Sequence, residues 1–128
     1  MKDDFEINED FDSKTISNDR DKDIMISKEG IEVLVTCKFR PKSDVRFNDV
    51  ERTAAISSLY GVRGLIVTNI GFGKKAVKVA KELGVMLSNK FDIKHKLNFY
   101  IEKANSEKEL DILETIEEEE KVFLYVYE

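Results

Sequence analysis

Val35-Thr36-Cys37-Lys38, followed after a helical stretch by Gly64-Leu-Ile-Val-Thr68-Asn-Ile-Gly71-Phe-Gly73-Lys-Lys-Ala76, decides how this chain folds. The first segment is the end of a strand that closes on a lysine. The second is an apolar run suited to a central strand, a glycine-bounded turn and the start of a basic helix. A strand, a helix, a buried strand and a second helix in that order read as an α/β domain.

Upstream, Ile24, Ile26, Ile31, Val33, Val35, Cys37 and Phe39 alternate with other residues about a Lys28-Glu29-Gly30 turn signal. This pattern predicts a β-hairpin with one apolar face. Pro41 ends its second strand, because it lacks the N–H a ladder needs. With Glu29 and Gly30 as the two turn residues, Lys28 faces Ile31, Asp23 faces Thr36 and Asp21 faces Lys38. Opposed residues share a side of the sheet, so the second face holds Asp21, Asp23, Met25, Ser27, Glu32, Leu34, Thr36 and Lys38. A longer or bulged turn would slide the pairs, yet alternation still sets two aspartates and a lysine on one polar side.

Asn48-Asp-Val-Glu51 reads as a capping box opening a helix to about Tyr60, with Val50, Ala54 and Leu59 turned inward. Gly73 leads into a helix from Lys74 to Leu83, stopped by Gly84. Ala76, Val77, Ala80 and Leu83 form its expected buried stripe, and Lys74, Lys78 and Lys81 lie together on another side. Val85-Met-Leu87 follows as a short strand. Ile93, Leu97, Tyr100, Ile101 and Ala104 predict a further helix, with His95 on its surface. Ser106-Glu-Lys-Glu109 is a second capping box, opening a helix through Leu110, Leu113 and Ile116. Val122-Phe-Leu-Tyr-Val-Tyr127 is expected as a final strand. The organisation is a single domain: an acidic arm (1–20), a core (21–105) and a helix–strand extension (106–128).

The length of 128 residues suits one domain, and 41% hydrophobic with 37% charged residues is an ordinary soluble composition rich in charge. No run of about 18 apolar residues predicts a membrane span, and no charged-then-apolar leader opens the chain. The one cysteine, Cys37, excludes an internal disulfide and fits a reduced, cytoplasmic setting. One histidine and one cysteine cannot build a structural zinc site. The net charge of −5 is unevenly spread. Residues 36–103 hold 14 Lys+Arg against 6 Asp+Glu, a balance of +8. Residues 1–35 hold 5 against 11 and residues 104–128 hold 2 against 9, balances of −6 and −7. A basic middle between acidic ends is the asymmetry of an electrostatic footprint. Cations at Lys74 and Lys75 oppose the helix dipole unless an anion sits there, where helix N–H groups and both ammonium groups would donate to a phosphate.

The order of elements from Asp23 to Leu87 resembles the Mrr-like branch of the PD-(D/E)xK nucleases. Gly64, Thr68, Gly71-Phe72, Ala76, Ala80, Gly84 and Leu87 fill the family's places in turn. The resemblance implies a restriction-endonuclease-like mixed sheet flanked by helices, with residues 106–128 as an extra helix and strand. It further implies DNA as partner and Mg²⁺ as cofactor if the site is active. Asp23 matches the family's first aspartate, with Asp21 as second choice, and Lys38 matches its lysine. Thr36 occupies the position of the acid, and a hydroxyl is a poor substitute for a carboxylate on Mg²⁺. Glu32 lies on the same face but roughly 13 Å away along the strand. In some members of the wider superfamily the acid comes from the following helix, and this resemblance makes Glu51 the candidate replacement beside Asp23 and Asp21 as metal ligands. Asp23, Thr36 and Lys38 are the catalytic candidates; Lys38, Arg40, Lys74, Lys75 and Lys78 are the DNA-binding ones.

Three readings compete: a metal-dependent endonuclease, an inactive nuclease fold that still binds DNA, and an interaction protein that forms a homodimer through its C-terminal strand. Thr36 favours the second over the first. The basic middle favours either DNA reading over the third.

Overall fold

A computed structural model describes residues 11–18, 21–39 and 43–108. Its centre is the hairpin of β2 (Lys22–Lys28) and β3 (Ile31–Lys38). Glu29 and Gly30 both take positive φ, 55° and 79°, as a two-residue hairpin turn of the right twist requires. The register is the expected one: Lys28 opposes Ile31, Asp23 opposes Thr36 and Lys22 opposes Cys37.

Beyond β3 the chain runs through α1 (Phe47–Tyr60), β4 (Arg63–Thr68), α2 (Lys74–Leu83) and β5 (Met86–Asn89). β4 lies parallel to β3, and β5 parallel to β4. A strand ahead of the hairpin, β1 (Asp12–Ser17), pairs antiparallel with β2, giving a five-stranded mixed sheet ordered β1-β2-β3-β4-β5. Part of the segment expected as a loose arm is thus a strand, the outermost among the described residues, held by backbone hydrogen bonds with little side-chain burial. A further helix, α3, spans residues 93–108.

Two cores follow from strand alternation. Ile24, Ile26, Val33, Val35, Cys37, Leu65 and Val67 face α3, whose Ile93, Leu97 and Ile101 are buried against them. On the opposite face Ile66 meets Val50 of α1 and Ala76 and Ala80 of α2. The molecule is therefore three-layered, helix on sheet on helix, and the side expected to be polar is roofed by α1 and α2. Met25 and Leu34 are buried there as well.

The helix stripes differ from the expected ones. α1 buries Val50, Thr53 and Ser57, while Leu59 is 85% exposed. The cause is a close approach to β4: a Cβ on Gly64 would lie 2.9 Å from Thr53 Cγ2, so small residues fill this contact. On α2, Ala76 and Ala80 are buried but Val77 and Leu83 are exposed. α1 begins at Phe47, with Asp49 Oδ2 accepting the Arg46 N–H at 3.0 Å; the box forms two residues earlier than expected. β5 starts one residue late because the Val85 N–H is used to cap α2, donating to the Ala80 carbonyl at 2.9 Å. Residues 106–108 continue α3 and do not open a new helix. The remainder of that expected helix, the strand at 122–127 and Arg40 lie outside the described residues. Among the described residues no helix is long and apolar enough to cross a membrane.

Candidate functional site

Alternation directs Thr36 and Lys38, the even residues at the end of β3, toward α1, together with Asp23 of β2 and Asp21 just before it. All four are buried. The N-terminal part of α1 adds Asp49, Arg52 and Thr53, giving a continuous polar network between sheet and helix.

Asp23 has no exposed surface. Its Oδ1 accepts the Thr36 hydroxyl at 2.8 Å and Arg52 Nη1 at 3.3 Å; its Oδ2 accepts Arg52 Nη2 at 2.7 Å. Thr53 donates its hydroxyl to Thr36 Oγ1 at 3.0 Å, so Thr36 accepts from the helix and donates to the aspartate. Beside this chain Lys38 Nζ donates to Asp21 Oδ2 and to Asp49 Oδ1, both at 2.7 Å. Thr68, ending β4, donates to the Lys38 carbonyl at 2.8 Å and ties the two strand ends together. Among the described residues no buried side-chain nitrogen or oxygen lacks a partner.

The hydrogen bond to Asp23 raises the Arg52 pKa above its ordinary value, against an opposing effect of burial; the charges of Asp23, Asp21 and Asp49 raise it further. Arg52 is a permanent cation here. Among the described residues, the network joins three carboxylates to two cations, with Lys38 shared by two of the acids.

The donor set does not fit a divalent metal. Mg²⁺ takes oxygen ligands in octahedral geometry, usually with carboxylates. The Asp23 oxygens already accept three hydrogen bonds, and a guanidinium occupies their open side. The opposed position on β3 offers a hydroxyl that gives its proton to Asp23. No group of three or more His, Cys, Asp or Glu among the described residues is arranged to hold an ion.

Of the residues picked out in the sequence, Asp21, Asp23, Thr36 and Lys38 meet in this network. Glu51 does not; it is exposed, and the carboxylate α1 directs at Lys38 is Asp49. Lys74, Lys75 and Lys78 are exposed on α2. The Lys75 ammonium lies 3.8 Å from the centre of the Phe47 ring, bridging the starts of the two helices. Arg52 and Thr53 were missed, as was Asp49. The available signal was their position flanking Val50 and Ala54, the residues read as inward.

The fold has counterparts among known proteins. A family model, Mrr_cat, described as restriction endonuclease, matches residues 2–95. A solved structure, the crystal structure of a protein of unknown function AF1548, superimposes with a TM-score of 0.53 at 21% identity. The overlap covers 62% of this chain and 49% of that one, so the chain spans about half that protein's length. At this identity the likeness is one of fold. No curated protein matches the chain.

Proposed function

Because the chain belongs to the Mrr restriction endonuclease family, we propose that it binds DNA through this fold but does not hydrolyse it by the metal-dependent route typical of such nucleases. One observation carries the reading: Arg52 holds the buried Asp23 in a two-pronged ion pair, with Thr36 where the family's acid would stand. A cation built into the chain neutralises the carboxylate that a metal would otherwise need. Lys38 is likewise committed to Asp21 and Asp49, and an ammonium held by two acids is poorly placed to activate water.

Binding is supported by charge. The middle of the chain carries the +8 balance, and Lys74 and Lys78 reach solvent on the helix that follows β4. In open α/β sheets ligands bind beyond the carboxyl ends of parallel strands. Lys38 and Thr68 end β3 and β4 on that side, and α2 begins there. Phosphate contacts of this kind are strong at low salt and carry no base specificity.

The test combines a binding titration at several salt concentrations with incubation of supercoiled and linear DNA in Mg²⁺ or Mn²⁺. Salt-sensitive binding without cutting is expected. Metal-dependent cutting that disappears in Asp23→Ala and Lys38→Ala would restore the endonuclease reading. Absence of both binding and cutting would remove DNA as the partner.

A further inference from the structure

Of the two described cations in the centre, Lys38 and Arg52, the second has substantial exposure. Lys38 is 3% exposed and donates to both Asp21 and Asp49. The Arg52 side chain is 40% exposed, although its terminal nitrogens grip a carboxylate with no exposed surface. We propose that Arg52 is a phosphate-binding residue: its guanidinium receives a DNA phosphodiester in the place that a nuclease would give to a metal ion. The inference rests on the DNA-binding reading and specifies which group of the centre meets the backbone.

An arginine carries five N–H donors, and Asp23 takes two of them. The remaining donors lie in the same rigid plane and suit the paired oxygens of a phosphate. Asp23 fixes that plane, because its position is itself fixed by the hydroxyl of Thr36, which in turn is held by Thr53. The ordering cost of a long side chain is thus met before the ligand arrives. Arg52 also lies within the first two turns of α1, near the end of β3 that carries the centre. Arg52 acts through directed hydrogen bonds, and the attractive field comes from the exposed lysines of α2.

The experiment measures duplex DNA affinity by fluorescence anisotropy over a range of salt concentrations for the wild type, Arg52→Gln and Arg52→Lys. Circular dichroism and thermal unfolding establish that each variant is folded. Arg52→Gln is expected to weaken binding about tenfold and to reduce the salt slope by about 1, the signature of one lost phosphate contact. Arg52→Lys keeps the charge but not the fork, so it should retain the slope and lose affinity several-fold. It also keeps a cation beside Asp23, so the inference stays testable if Arg52→Gln does not fold. A role confined to holding Asp23 would change thermal stability without moving the slope. Wild-type binding with unchanged affinity and slope in the folded variants overturns the assignment of Arg52 and leaves DNA binding standing. Failure of the wild type to bind overturns both.

Discussion

Thr36 gives its proton to Asp23 and accepts one from Thr53, so a single hydroxyl couples the sheet to α1. Removing that hydroxyl at constant shape isolates the coupling. Thr36→Val leaves the Thr53 hydroxyl buried without its acceptor and takes one donor from a buried carboxylate. Unmet polar groups of this kind cost about 1–3 kcal/mol each. A denaturant midpoint clearly lower than wild type with an unchanged slope is the expected outcome; an unchanged midpoint would mean that the hydroxyl chain contributes nothing to stability. The Asp23–Thr36 opposition was legible in the sequence because a two-residue turn and strict alternation fix both register and face. Arg52 was not, since its meeting with Asp23 depends on the rotation of α1 about its own axis. That rotation is set by Thr53 and Ser57 packing near Gly64, a contact between small residues that leaves no hydrophobic pattern.

At the level of elements, the start of α3 is governed by a reciprocal cap. Asn89 Oδ1 accepts the N–H groups of Phe91 and Asp92, and Asp92 Oδ1 accepts the Asn89 N–H at 3.0 Å and the Ser88 hydroxyl at 2.5 Å. Burial pushes the Asp92 pKa up, but the hydrogen bonds from Ser88 and Asn89, helped by the charge of Lys96, pull it down further, and the net shift is downward. A folded pKa below the unfolded one gives stability that is present above the ordinary carboxylate range and lost as pH falls toward the folded value. The melting-temperature gap between wild type and Asp92→Asn should therefore be full at neutral pH and close below about pH 4. A gap independent of pH would show that the charge of Asp92 plays no part in the cap. From β2 to α3 the existence and order of the elements were legible, whereas β1 was not and the inward faces of the helices were less so. Leu59, Val77 and Leu83 carry apolar side chains at helical spacing yet remain exposed, because a helix buries only the residues that lie over the sheet.

For the whole molecule, the sheet separates two layers of different character. One side carries the ion-pair network under α1 beside the apolar contact of Ile66 with α1 and α2, and the other is the apolar contact with α3 alone. β3 serves both, since Thr36 and Lys38 project one way and Cys37 the other. The apolar face of the hairpin could be read from alternation alone, because period two leaves few choices once the turn is placed, whereas the mixed sheet was implied only by the resemblance to the nuclease family. The covering of the polar side could not, because nothing in a strand's own pattern tells which helix will lie on it. Cys37, the chain's single thiol, sits 6% exposed in the α3 core between two residues of the network. A thiol reagent can reach its sulfur only when α3 lifts from the sheet or the whole chain opens. Modification by a disulfide reagent should then run at least about a thousandfold slower than for a free cysteine, and slower again with saturating DNA, since a ligand that binds the folded state lowers the open population. Reaction at the free-cysteine rate would mean that the layer is not closed in solution. One sulfur atom thus times the breathing of the strand that bears the ion pairs, without any label being introduced.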